Sequence, residues 1–398
     1  MNIWKFHYAV ISSVIILSIP GICRAQQTTS VISGYVFEDS NQNGTRENGE
    51  TGMAGIAVSD MVNVAVTDLN GHYQLNKIPG FEIVFVCVSD VYHAVGLFWK
   101  PVQSEANNSL DFGLAKQTIP DSFKFLQASD THISESSIDR MDKLRSIVDS
   151  VKPDMVIITG DLVKDALRVN EAEAEKYYDL FAKESSKIKC RLWLVPGNHE
   201  IFGIERHLSL VSSKNPMYGR NMYRHYFGPD YYSFNFGGIH FIALNSLDFE
   251  DLFYYGHIDS VQMEWLKRDV ALVPLSVPIV TFQHVPFFTA GLSMAPYEAE
   301  GLGRTLEREK GQMQFRHVVS NALDVLSILK EHNYPLALAG HYHFQQKFSF
   351  AGCNTRFEQT GAVIGGPGLG PIKMPSGVTV YTVTKGKIDD GKFVQLDR

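Results

Sequence analysis

Met155-Val156-Ile157-Ile158-Thr159-Gly160-Asp161 is a run of apolar and β-branched residues closed by a glycine and an aspartate. Such a continuous run reads as a strand buried on both faces, the kind found in parallel sheets covered by helices. A carboxylate at its carboxyl end stands where open α/β sheets place ligand-binding groups. Four more runs end alike: Asp130-Thr131-His132, Gly197-Asn198-His199-Glu200, Gln283-His284 and Gly340-His341-Tyr342-His343 each follow a β-like stretch.

Outward from this centre the pattern alternates. Strands are expected at Phe123–Ala128, Met155–Thr159, Arg191–Val195, Pro278–Phe282 and Pro335–Ala339, with a hairpin of Tyr231–Phe236 and Ile239–Leu244 across Gly237-Gly238. Helical spacing is expected over Ser137–Val151, Glu171–Ser185, Gln262–Leu272 and Phe315–Glu331. The remainder from Gln345 is β-rich. This predicts an α/β (four-layer α+β) domain over residues 122–398, with two packed mixed sheets flanked by helices.

Ahead of it, residues 31–114 carry short β-rich runs separated by turns such as Asn70-Gly71 and Pro79-Gly80. They predict a small antiparallel β-sandwich. Within it, Asp39, Asn41, Asn43, Gly44 and Glu50 follow the spacing of a calcium loop over residues 39–50, although strands rather than helices flank it. The run also resembles the opening of prealbumin-like and adhesin B-type repeat modules.

Residues 1–25 read as a secretory signal: Lys5, an apolar Ala9–Ile19, then Cys23-Arg24-Ala25 before the cut. The apolar run is shorter than the roughly 20 residues a spanning helix needs. Export, periplasmic or extracellular, is therefore expected, with no transmembrane span in the mature chain. Cys87, Cys190 and Cys353 remain, allowing one disulfide at most, and without a CxxC they offer no thiolate site. The chain has 398 residues and a net charge of −7, which gives no global basic field for nucleic acid.

The strand ends carry the chemistry. In Asp130-x-His132 and His341-x-His343, positions i and i+2 share a face if the strand end is extended. Asp130 and Asp161 close neighbouring strands, and two adjacent carboxylates repel unless a cation lies between them. Carboxylate, imidazole and amide oxygen suit Mn, Fe, Zn or Ni.

In this order the motifs resemble the calcineurin-like metallophosphoesterases. The resemblance covers residues 122–398 and implies a hydrolase of phosphate esters, mono- or diester, using two divalent ions. It implies that Asp130, His132 and His343 bind one ion, that Asn198, His284 and His341 bind the other, and that Asp161 bridges them. It implies in-line attack by a metal-bridging hydroxide, with His199 as the catalytic group facing the leaving oxygen. Glu200 is expected to orient a ligand rather than bind metal. Lys164 stands where purple acid phosphatases carry a tyrosine, so no charge-transfer colour is expected. Arg304 and Arg308 lie in a long loop expected to shape the substrate pocket. A non-catalytic binding or adhesion protein that kept the fold is the alternative reading.

Overall fold

Two six-stranded sheets face one another in the computed structural model, which describes residues 31–102, 108–291, 306–309, 312–366, 368 and 373–397. The proposed signal segment and Arg304 lie outside these residues, as does the side chain of Arg308.

The first sheet runs Arg191–Val195, Met155–Thr159, Ser122–Ala128, Gly377–Thr384; the first three are parallel and the fourth antiparallel to them. The second runs Tyr232–Phe236, Ile239–Ala243, Ile279–Phe282, Leu336–Ala339, Arg356–Gln359, Gln346–Phe348, with parallel pairings in its middle. Every residue of Met155–Thr159 is buried, as its unbroken apolar run requires. Phe125 of the first sheet packs edge-on against Phe241 of the second at 5.8 Å. Gln127 Nε2 donates to the Ala339 carbonyl across the same gap at 2.9 Å.

Helices cover the outer faces. Ile138–Val151 and Glu171–Ser185 bury Met141, Leu144, Val148, Tyr178 and Phe181 against the first sheet. Ser260–Val270 and Ala322–Leu329 bury Trp265, Leu266, Val325 and Leu329 against the second. Asn170 and Asp259 cap two of these helices, accepting from Glu173 N and Gln262 N. The helix expected over Phe315–Glu331 is shorter and starts at Ala322. Its expected first turns cannot wind because their amides bond elsewhere: Val319 N to Pro286 O and Ser320 N to Gly256 O.

Residues 31–116 form two small sheets, of which His72–Asn76, Val31–Glu38, Phe112–Lys116 and Tyr92–Ala94 make one and Val64–Val66, Ala57–Ser59, Ile83–Val86 and Trp99–Pro101 the other. Pairing is antiparallel, except that Val31–Glu38 runs parallel to Phe112–Lys116 and to Asn108–Ser109. In the 39–50 loop, Asp39 accepts from the amides of Asn43 and Gly44, and the side chains of Asn41 and Asn43 donate to Glu47.

This module shares a core with the two-sheet domain. Phe85 meets Tyr232 and Trp265 at 6.4 and 6.3 Å between ring centroids, and Phe98 meets Trp193 at 5.2 Å. Trp193 in turn stacks on Phe234 at 3.7 Å. The module thus packs behind Arg191–Val195, the strand that leads to Asn198. Cys87, Cys190 and Cys353 are free thiols. Burial pushes Cys87 up to about 12. Among the described residues, no helix is long and apolar enough to cross a membrane.

Candidate metal centre

Five strand ends converge. Ser122–Ala128 leads to Asp130 and His132, Met155–Thr159 to Asp161, Arg191–Val195 to Asn198, Ile279–Phe282 to His284, and Leu336–Ala339 to His341 and His343. Glycines let the ends close up. A Cβ on Gly197 would sit 2.2 Å from Asp161 Oδ1, and Gly160, at φ +84°, would press on His284.

The backbone at the centre is not extended. Asp130, His132, Asp161, His341 and His343 have φ of 53°, 39°, 50°, 75° and 59°. These are left-handed conformations that non-glycine residues rarely adopt and that cluster at functional sites. The side chains of Asp130 and His132, and of His341 and His343, therefore converge through left-handed turns and not, as expected, through strand alternation. A ladder holds the turns: Asp130 N to Gly160 O, His132 N to Asp161 O, Ile133 N to Leu162 O.

The hydrogen bonds fix which atoms face inward. His284 Nδ1 lies 2.7 Å from the Thr159 carbonyl and His343 Nδ1 3.1 Å from that of Gly365. A carbonyl only accepts, so each imidazole carries its proton there and turns the Nε2 lone pair inward. His284 Nε2 then faces Asn198 Oδ1 at 3.2 Å, Asp161 Oδ2 at 3.2 Å and His341 Nδ1 at 3.1 Å. His343 Nε2 faces Asp130 Oδ1 at 3.2 Å and His132 Nε2 at 3.2 Å. His132 Nε2 lies 3.5 Å from Asp161 Oδ2. Two neighbouring spaces are thus lined almost wholly by lone pairs, and Asp161 Oδ2 borders both. Asp130 Oδ1 is buried without any hydrogen-bond partner. An orphaned buried carboxylate oxygen beside converging imidazole nitrogens is a donor set that fits a divalent cation.

Electrostatics agrees. Burial works against charge on Asp130, but the imidazoles of His343 and His132 overcome it and hold its pKa well below the ordinary value. Asp161 is likewise held low, chiefly by His284 and His199 against burial. Its charge raises His284 to about 9 despite burial, so without an ion Nε2 itself takes up a proton, which a bound cation would displace. His284, His341 and Asp161 form one buried group able to hold an ion, Asp130, His132 and His343 another, and His132, Asp161 and His199 a third.

The remaining predicted residues fall around this core. His199 Nδ1 lies 2.5 Å from the Lys164 carbonyl, its backbone N–H donates to Asp161 Oδ1, and Nε2 stands 3.9 Å from Asp161 Oδ2. Glu200 accepts from Val163 N at 2.9 Å and Gly197 N at 2.6 Å, tying the loop after Asp161 to the one carrying Asn198. Burial and then the charge of Asp161 push Glu200 up to about 8. Lys164 gives the centre only its carbonyl; its ammonium lies over the Tyr177 ring at 5.9 Å. Asp165 is turned to Arg168 and the Leu167 amide, away from the metal-facing atoms.

Sequence reasoning missed His317. It is buried, its Nδ1 lies 2.6 Å from His341 Nε2, and its pKa is pushed down to about 4 by burial, Arg316 and His284. The expected helix over Phe315–Glu331 concealed it; only a histidine between His284 and His341 signalled it. Arg316 stacks on Tyr254 at 4.5 Å and approaches Glu205 at 3.6 Å, and Glu205 pairs with Arg168.

Residues 123–345 match the family of calcineurin-like phosphoesterases, and residues 40–117 match the family described as the N terminal of calcineurin-like phosphoesterase. The chain belongs to the calcineurin-like phosphoesterases. As a family member it is a phosphoester hydrolase whose chemistry rests on paired metal ions, and the groups just described could hold them. No curated protein matches the sequence. Among solved structures, the chain is similar to a dimetal phosphatase from Danio rerio, 13% identical over 69% of this chain and 99% of that one, with a TM-score of 0.46. It is also similar to an anchor protein of the Plasmodium inner membrane complex, 14% identical over 70% and 85% with a TM-score of 0.43. A phosphopantetheinyl hydrolase from Mycobacterium tuberculosis is 13% identical over 60% and 90%, with a TM-score of 0.35.

Proposed function

We propose that this calcineurin-like phosphoesterase is an exported two-metal hydrolase of small phosphate mono- or diesters. The observation that carries the reading is the pair of lone-pair-lined spaces sharing Asp161 Oδ2, with Asp130 Oδ1 orphaned beside them. Asp130, His132 and His343 would hold one ion, Asn198, His284 and His341 the other, and Asp161 both. The all-nitrogen-and-oxygen donor set favours Mn, Fe or Zn. Bound divalent ions supply Lewis acidity toward the phosphoryl oxygens and acidify a water for in-line attack.

The chain's own residues do the rest. The carboxamide of Asn198 contributes a neutral donor and leaves the centre less repulsive to a phosphate dianion. The Lys164 carbonyl holds the Nδ1–H of His199, so in the imidazolium form the Nε2–H is the proton that passes to the leaving oxygen, leaving the neutral ring behind. Glu200 keeps the two loops in register. Arg316, on its Tyr254 platform, supplies positive charge close to His341 through its neighbour His317. The alternative, a binding protein that kept the fold without catalysis, is disfavoured because such a protein has no need to retain every donor and His199.

Export rests on the signal-like residues 1–25 and would be tested by mass measurement of the mature amino terminus. Calcium in the 39–50 loop rests on spacing alone, and a calcium-dependent rise in melting temperature, lost in Asp39→Ala, is its test. The deciding experiment for the site is turnover of an aryl phosphate against a bis-aryl phosphate diester, with Mn²⁺, Zn²⁺ and a chelator in turn. Metal-dependent release from either ester supports the reading; no turnover of either under any metal overturns it.

A further inference from the structure

Two of the inward-facing imidazoles, His284 and His343, are oriented by backbone carbonyls, whereas His341 is not. Its Nδ1 faces His284 Nε2 at 3.1 Å, and its Nε2 lies 2.6 Å from Nδ1 of His317. The two ring centroids lie 4.9 Å apart with an interplanar angle of 28°, so the rings meet edge to edge and near coplanar, as an in-plane N–H···N hydrogen bond requires. We propose that His317 is a positioning residue for the second metal position: its unprotonated Nδ1 accepts the Nε2–H of His341 and thereby commits the Nδ1 lone pair of His341 to the ion. The inference rests on the two-metal reading above.

The tautomer logic is strict. A neutral imidazole carries one proton, and His341 can offer a lone pair at Nδ1 only if that proton sits on Nε2. An Nε2–H at 2.6 Å from His317 Nδ1 needs an acceptor there, so His317 carries its own proton on Nε2. The opposite arrangement, with His317 donating, would place a proton on His341 Nδ1 and block it. Ligating histidines commonly have an outer partner that fixes the tautomer and ring plane. Here that partner is a side chain, and the near-coplanar hydrogen bond fixes the ring plane as well.

The support of His317 is rigid. Val319 N bonds Pro286 O at 3.0 Å, Ser320 N bonds Gly256 O at 2.8 Å, and Asn321 accepts from Ile258 N and donates to Ile258 O. Pro286 lies two residues beyond His284 in the chain, so the partner of one donor is anchored beside another donor.

The test uses the full chain stripped of metal, followed by Mn²⁺ or Zn²⁺ titration calorimetry and by metal content after dialysis. His317→Leu is expected to bind one ion as the parent does and the other about 10–100-fold more weakly. His317→Asn places an acceptor oxygen near the former Nδ1 and is expected to recover most of that loss. His317→Gln carries its acceptor farther out and is expected not to. The Co²⁺-loaded parent and Asn variant should share a ligand-field spectrum from which the Gln variant departs. Equal binding of both ions by His317→Leu and parent would overturn the proposal, as would Asn and Gln variants weakened alike. If His317→Leu does not fold, the Asn–Gln comparison decides. A parent that binds fewer than two ions would instead sink the two-metal reading itself.

Discussion

Asp161 gives its two oxygens different work: Oδ1 accepts the backbone N–H of His199 at 3.0 Å, while Oδ2 borders both metal-facing spaces. One oxygen therefore keeps the Asn198–Glu200 turn in place, and the other is left for cations. Asp161→Asn can preserve the first task through its amide oxygen and fail the second. Turnover is expected to fall by about 10³-fold or more, the scale of losing a main electrostatic element. Metal content after dialysis should fall with it, and the melting temperature of the metal-free protein should change little. An Asn variant that keeps two tightly bound ions would refute the bridging role.

His199 has its Nδ1 held by a backbone carbonyl as His284 and His343 do, but its Nε2 stands 3.9 Å from Asp161 Oδ2, farther than the 3.2 Å of His284 or the 3.5 Å of His132. His199→Gln should therefore leave metal stoichiometry at the parent value. It should lower kcat by about 10²–10⁴-fold, the usual worth of general acid help. The loss should be smaller for esters whose leaving group is already acidic, such as a nitrophenol. Equal losses for acidic and basic leaving groups would remove His199 from the proton-transfer role.

A second charged cluster, away from the centre, sets an acid limit on stability. Asp230 is buried, accepts from Arg224 Nε and Asn245 Nδ2 at 2.7 Å each, and is held below its ordinary value of 3.8 by Arg224 and Arg220 against the cost of burial. The unfolded chain then binds more protons than the folded one as pH drops through this range. The contribution is complete above the ordinary carboxylate pKa and disappears as pH falls through the depressed one. At neutral pH, Asp230→Asn should cost about 3–5 kcal/mol, because the largely buried Arg224 guanidinium loses its counter-charge while Arg220 keeps Asp248 and Asp259. The gap between parent and variant in denaturant unfolding should narrow below about pH 4. A gap independent of pH would contradict this.

The aromatic contacts of Phe85 predict that the amino-terminal module and the metal-binding domain unfold as one unit. Phe85→Ala should lower the stability of the whole chain by about 3–5 kcal/mol. Calorimetry should show a single transition moved downward in the variant. Two separate transitions in the parent, with only the first sensitive to Phe85, would mean that the shared packing carries no cooperativity.

Much of the fold was legible because its signals are local. Met155–Thr159 and Arg191–Val195 begin and end where apolar runs begin and end, and Glu171–Ser185 starts directly after its Asn170 cap. The residues that converge at the centre were legible because each follows such a run. What the sequence conceals is set by long-range bonds. The amides of Val319 and Ser320 are drawn to Pro286 and Gly256, which cancels the start of a helix that spacing favours and leaves His317 beside His341. The left-handed φ of Asp130 or His343 is equally hidden, since neither is a glycine and only the ladder of neighbouring loops imposes it.

His132 and His343 stand with their Nε2 atoms 3.2 Å apart although 211 residues separate them in the chain. The centre therefore has no existence in a nascent chain that has not yet emitted its last strands. No truncated product ending before His341 can carry the full set of donors, whatever the rest of it folds into. The full set of donors requires a chain that runs past His343 and two sheets that have closed on one another.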